Sequence, residues 1–164
     1  MSSARYKVAG YVKLAKLWEK KSAEAIQYHK EYYRDKFSDY PDAELIDVYI
    51  DITGKKEIWK RKSMIRLIHD CQKGRINCIA TQTKAYLAAN TEEFFFLIYY
   101  IYGWPIRIDL VTEDADYNIN TIQNKENQRE TLFATAKKYV SVEPVRYREW
   151  IGKVAEAIGE LDSE

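Results

Sequence analysis

Cysteine, proline and glycine are all scarce in this chain of 164 residues, which contains 2, 3 and 6 of them. Two cysteines cannot build a disulfide framework, and Cys71 and Cys78 form neither a CxxC pair nor a Cys/His cluster of metal-ligand spacing. Both are expected to be buried thiols in a reducing compartment, and no metal or other cofactor is expected. Charge of one sign is also lacking. A net charge of +1 excludes an overall polycation of the kind built for nucleic acid, so any such role must rest on local charge. The longest apolar run, Phe94 to Ile101, is too short to cross a bilayer and includes Tyr99 and Tyr100. The start carries Arg5 and Lys7 without the apolar stretch of a secretory signal, so a cytoplasmic protein is expected. The sequence holds no internal repeat, Gly-rich phosphate loop, HExxH helix or GxSxG elbow.

The remaining composition, 46% hydrophobic and 31% charged, describes a folded chain long enough to bury a substantial core. Lys7 to Leu14 is nearly continuously apolar, the pattern of a central strand covered on both faces. Ser22 to Phe37 recurs at helical spacing, with Ser22 available as N-cap and Pro41 in the turn beyond. Ala43 to Ile52 alternates and is rich in β-branched residues, a second strand. A helix is expected from about Trp59 to Lys73, stopped by Gly74, then a buried strand from Ile76 to Thr81.

Thr91 to Tyr102 reads as a helix capped by Asn90 or Thr91 and closed by Gly103, followed beyond Pro105 by a strand carrying Ile106, Ile108, Leu110 and Val111. The β-α-β-α-β-α-β order implies right-handed crossovers and a mostly parallel sheet, with ligand chemistry at the carboxyl ends of its strands. Asp114 to Gln128 is polar and aperiodic, hence a loop. Helices are expected over Arg129 to Tyr139 and from Val145 or Arg146 to Leu161. In the second, Trp150, Ile151, Val154, Ala155, Ile158 and Leu161 form an apolar stripe that either caps the chain's own core or meets an oligomeric partner. Residues 1–125 are thus expected to form an α/β domain and 126–164 a C-terminal helical extension.

Local charge concentrates between Lys55 and Arg75. Lys55, Lys56, Lys60, Lys62 and Arg66, with Lys84 if the strand ends converge, are candidate phosphate contacts; a solvated face is the simpler reading. His29 and His69 have no ligand-like neighbours and read as ordinary helix residues. Asp51, at a strand end, reads as a cap for the loop containing Thr53 and Gly54.

Several segments in order resemble the serine recombinases. Tyr11-Val12-Lys13-Leu14-Ala15 resembles the family's strand of tyrosine, variable residue, arginine, variable residue and nucleophilic serine. Ser22-Ala23-Glu24-Ala25-Ile26 is similar to a helix start that normally carries a glutamine at the position of Ile26, with Gln27 adjacent. Val48 to Asp51 with Thr53-Gly54, then Arg61-Lys62-Ser63-Met64 and Leu67 to Cys71, resemble the strand, loop and helix that follow. Thr83 to Thr91 is similar to the stretch that brings an acidic or hydroxyl residue and two arginines.

The resemblance spans about Lys7 to Asn118 and implies a resolvase-like three-layer α/β/α domain with a mostly parallel central sheet, plus C-terminal helices. In the family a serine attacks a DNA phosphodiester while arginines stabilise the developing charge. At those positions stand Lys13, Ala15, Ile26, Arg61, Ala85, Tyr86 and Ala89, and only Arg61 keeps the family's residue type. An alanine methyl has no lone pair for attack on phosphorus, and lysine lacks the guanidinium fork that binds phosphate through two bonds.

The expectation is therefore a noncatalytic recombinase-like domain, not an enzyme, acting in protein association or regulation of mobile-element DNA recombination. Its expected partners are a second copy or an active recombinase in a mixed complex, with Trp150, Ile151, Val154, Ile158 and Leu161 as the contact. The alternatives are a DNA-binding accessory protein using the basic 55–75 region, an active recombinase with displaced residues such as Tyr11 or Tyr86, and a scaffold with no DNA role.

Overall fold

A computed structural model of the chain describes residues 5–113 and 126–163. Strand β1 (Tyr6–Leu14) has Val8 to Val12 buried in unbroken succession, as a strand sandwiched between helices requires. Beside it on one edge lies β2 (Ala43–Ile52), and on the other β3 (Cys78–Thr81) and then β4 (Asp109–Thr112). The sheet order is β2-β1-β3-β4 and every neighbouring pair is parallel. The register slips between Val8 and Ala9, which face Leu45 and Asp47, so Ile46 is the extra residue of a bulge.

The pleat divides the core into two. Val8, Val12, Val48, Cys78, Ala80 and Val111 pack with Tyr33 and Phe37 of α1 (Ser22–Phe37). Gly10 belongs to this face: a Cβ there would stand 2.8 Å from the ring of Tyr33, so only glycine lets the helix settle on the strand. Ala9, Tyr11, Tyr49 and Ile79 turn to the opposite face, against α2 (Lys62–Gln72) and the short α3 (Lys84–Leu87) and α4 (Thr91–Tyr102). Helices α5 (Glu126–Val142) and α6 (Pro144–Asp162) add Ala136, Val140, Trp150, Val154 and Ile158 to this larger core. The expected parallel α/β/α layering is the observed one.

The ends of α2 show how the sequence sets its limits. Gly74 takes φ 78°, the Gly74 amide donates to Cys71 O and the Arg75 amide to Asp70 O, a Schellman closure. At the other end the expected continuous helix from Trp59 is broken. Ile58–Lys60 form a 3-10 turn, Arg61 is extended (φ −98°, ψ 110°), and α2 starts only at Lys62. Asp51 captures the Ser63 and Met64 amides, which fixes where α2 begins.

Other expectations need correction. Ser22 is not an N-cap; it is the first residue of α1, which continues from an unforeseen 3-10 helix over Lys16–Lys21, and Lys21 at the cap position makes no side-chain bond. The third strand starts at Cys78 rather than Ile76, because the Asn77 side chain accepts from the Lys7 amide and donates to Arg5 O. The fourth begins at Asp109 rather than Ile106, which is exposed. Glu126 to Gln128 are helical rather than loop, held by the Arg107 guanidinium on Glu126 at 2.7 Å. The rest of that expected loop, residues 114–125, lies outside the described residues. Among the described residues no helix is long and apolar enough to cross a membrane.

Candidate functional site

With all strands parallel, their carboxyl ends share one edge, where the segments after β1, β2 and β3 meet. Ala15 stands there as the last extended residue before the Lys16–Lys21 helix, exposed and with only a methyl to offer. Lys13, one turn of the pleat earlier, pairs in register with Asp51. Burial lowers its pKa, and the positive charges of Arg61 and Lys56 lower it further, against the pull of Asp51. Thus Lys13, Lys56 and Arg61 form one cationic cluster across two strand ends.

Behind this cluster lies a closed polar network. Tyr11 donates its hydroxyl to Asp51 Oδ2 at 2.8 Å, and the same oxygen accepts from the Met64 amide at 2.9 Å. Asp51 Oδ1 accepts from the Ser63 amide at 2.9 Å, while the Ser63 hydroxyl donates to Ile50 O. The expected loop-capping role of Asp51 is therefore corrected: its acceptors serve the start of α2 and Tyr11. Burial, and then the Asp51 charge, hold the Tyr11 phenol far above its ordinary range. A fully buried phenol whose proton is committed to Asp51 is poorly placed for attack on phosphate.

Arg61, expected from the resemblance to keep the family's residue type, is only 2% exposed. Its Nε and Nη2 donate to Lys56 O at 3.1 and 2.6 Å, and Nη1 donates to Tyr86 O at 2.6 Å. The guanidinium straps the loop after β2 to α3, and its fork points at backbone carbonyls rather than at solvent. Tyr86 is half-buried on α3 and Ile26 half-buried on α1. Ala85 and Ala89, with Lys84, line an open cleft of about 840 Å³ between α4 and α5, whose floor includes Phe94 and Leu132.

The basic candidates do not form one stripe. Lys55 and Lys56 project from the loop after β2, and Lys62 and Arg66 from successive turns of α2. Lys60 is partly neutralised by Glu57 at 3.6 Å and lies over the Trp59 ring, which Lys153 of α6 also covers at 4.3 Å. Arg66 lies over Tyr49 at 4.9 Å. Lys84 opens α3, beyond the end of β3 and over the Phe94 ring.

The apolar stripe of α6 is occupied within the chain. Trp150, Val154 and Ile158 are buried, and Ile151 and Leu161 are half-buried against the same cluster. As a correction, Ala155, expected on the stripe, is exposed. Trp150 Nε1 donates to Glu93 Oε2 at 2.9 Å; the same oxygen accepts from the Ile58 amide, and Oε1 accepts from the Ala89 amide. Glu93, buried at the start of α4, was not a sequence candidate. Its signal was the Asn90-x-x-Glu93 spacing of a capping box.

His29 is buried on α1, and His69 Nε2 meets Asp162 Oδ1 at 2.9 Å. Burial pushes the Cys71 thiol up to about 12 and the Cys78 thiol higher still. Among the described residues no group of His, Cys, Asp and Glu has metal-binding geometry.

No protein-family model matches the chain, and no curated protein matches it. Among solved structures, it is similar to the N-terminal catalytic domain of TP901-1 integrase, with a TM-score of 0.59 and 15% identity, over 84% of this chain and 98% of that one. The C-terminal catalytic domain of ISC1926 TnpA, an IS607-like serine recombinase, gives a TM-score of 0.49 and 10% identity over 95% and 99%. At 15% identity the first likeness establishes the fold: the chain has the resolvase-like architecture of a recombinase catalytic domain.

Proposed function

We propose that this chain is a noncatalytic serine-recombinase-like domain acting in protein association or regulation of mobile-element DNA recombination. The observation that carries the reading is Ala15 at the end of β1, in a fold shared with an integrase catalytic domain. Around it the groups that remain are engaged elsewhere: Arg61 holds two carbonyls, and the Tyr11 hydroxyl holds Asp51. A phosphoryl transfer at this edge would lack both nucleophile and the converging donors that stabilise its transition state. Incubation with supercoiled DNA and analysis under denaturing conditions is expected to yield no covalent protein-DNA species. Reproducible covalent trapping overturns the reading.

A mixed assembly with an active recombinase, or a homo-oligomer, belongs to this reading. Its contact would have to use surfaces other than the inward half of the α6 stripe, because Val154 is fully buried and Trp150 only 7% exposed.

A second reading, a DNA-binding accessory protein, is favoured by the exposure of Lys55, Lys56, Lys62 and Arg66. Duplex affinity should then fall steeply with salt, and removing charge at Lys62 and Arg66 should flatten the salt dependence. An absence of duplex binding at low salt excludes it.

A further inference from the structure

The segment directly beyond Ala15 has chemistry that the vanished active site does not explain. None of the residues of the Lys16–Lys21 helix is buried. Leu17 is 74% and Trp18 43% exposed, in the company of Lys16, Lys20 and Lys21. Leu17 and Trp18 belong to neither hydrophobic cluster, although five helices pack into the larger one, and as sequence neighbours flanked by lysines they form an apolar patch that a partner could cover.

The helix is fastened beside the loop after β2. The Thr53 amide donates to Leu14 O at 3.0 Å, and Lys16 Cβ lies 4.0 Å from the position a Cβ on Gly54 would take. This brings Lys55 and Lys56, both exposed, to the same edge as Lys16, next to half-buried Lys13. Among the described residues none of these lysines, nor Lys20 or Lys21, has a carboxylate at ion-pair distance. The acidic side chains on the two segments are Glu19 and Glu57, and Glu57 faces Lys60. In a chain of net charge +1, the exposed lysines of these two adjoining segments thus lack ion-pair partners among the described residues, and one of the segments carries an exposed indole.

Duplex phosphates would satisfy the lysines but leave Leu17 and Trp18 in water. An unpaired strand satisfies both, since every base has a face to stack and every linkage a charge. We propose that Trp18 stacks an unpaired base of single-stranded nucleic acid, while Lys16, Lys20, Lys21, Lys55 and Lys56 take the flanking phosphates. The proposal rests on the recombination reading only for the source of such a strand.

The test is fluorescence anisotropy of the whole protein with a fluorescein-labelled thymidine oligomer of about 20 nucleotides, against a duplex of equal length, at low salt. The single strand should bind more tightly than the duplex. Trp18→Ala should weaken it about tenfold, Trp18→Phe should restore most of that loss, and duplex binding should change less than about twofold in either variant. Lys20→Ala with Lys21→Ala should lower the salt slope. Trp18 is outside the core, so unchanged circular dichroism separates lost contact from lost fold.

Equal affinity of Trp18→Ala and the parent, or no binding at low salt, overturns the proposal. So does concentration-dependent self-association that disappears in Leu17→Ala/Trp18→Ala while oligomer binding persists, which would assign the patch to protein contact. A covalent adduct with supercoiled DNA would remove the noncatalytic reading and leave this platform standing; flat anisotropy would do the reverse.

Discussion

The hydroxyl of Tyr11, on the central strand, and the carboxylate of Asp51, at the end of its neighbour, are joined by a buried 2.8 Å hydrogen bond. Asp51 uses its remaining capacity on the first amides of α2. Asp51→Ala would orphan two amides and a phenol at once, and is expected to cost about 2–4 kcal/mol. Tyr11→Phe removes one donor of three and should cost about 1 kcal/mol. Chemical denaturation of both variants checks the ranking; an Asp51→Ala loss smaller than that of Tyr11→Phe contradicts the capping role.

Gly10 is expected to resist even the smallest side chain. Gly10→Ala places a methyl against the Tyr33 ring at 2.8 Å, where overpacking typically costs about 1–3 kcal/mol. The loss should shrink when Tyr33→Leu is combined with it. Additive losses in that double-mutant cycle would show that the ring is not the obstacle.

Alkaline pH should unfold the protein through its phenols. Burial is the leading cause that raises Tyr11, Tyr33 and Tyr49 above their ordinary value, so the folded state keeps protons that the unfolded state releases. Their contribution to stability is complete below about pH 10, the unfolded value, and is lost as pH rises through the folded ones. Phenolate absorbance should therefore rise in two stages, exposed tyrosines first and the buried group together with unfolding. A single smooth titration with secondary structure intact would refute this.

On the proposed noncatalytic reading, a serine introduced at position 15 should not by itself produce recombinase chemistry. Ala15→Ser supplies a hydroxyl, yet Lys13 has no fork and Arg61 is strapped to Lys56 and Tyr86 carbonyls. The expected outcome on supercoiled DNA is no phosphoseryl adduct, read by denaturing gel mobility. An adduct at the level of an active recombinase would show that the remaining cations suffice.

Much of this fold was legible because burial writes itself into pattern. The unbroken apolar run of β1 announced a strand covered on both faces, and Gly74 marked the end of α2 through a left-handed backbone conformation that strongly favours glycine. What was illegible depends on partners distant in sequence. Arg61 interrupts a helical pattern because its guanidinium bonds to Tyr86 O, 25 residues away, which local spacing cannot encode. The Lys16–Lys21 helix buries nothing, and so leaves no periodic trace. For the candidate site, local sequence carried residue types at the strand ends, while the work of Asp51 and Glu93 became visible only once the strand ends and α6 were in place.

The carboxylate of Glu93 has a consequence for how the fold opens locally. Its acceptors join the Ile58 amide, 35 residues earlier, to the Trp150 indole, 57 residues later. When α6 lifts away, the bond from Trp150 opens and the turn at Ile58 loses the packing that shields its own. The two segments should therefore open as a single cooperative unit, below the free energy of global unfolding. Hydrogen exchange would find the Ile58 amide and the amides of α6 sharing one opening energy, so that a backbone proton in the first half of the chain reports on whether its last helix is docked.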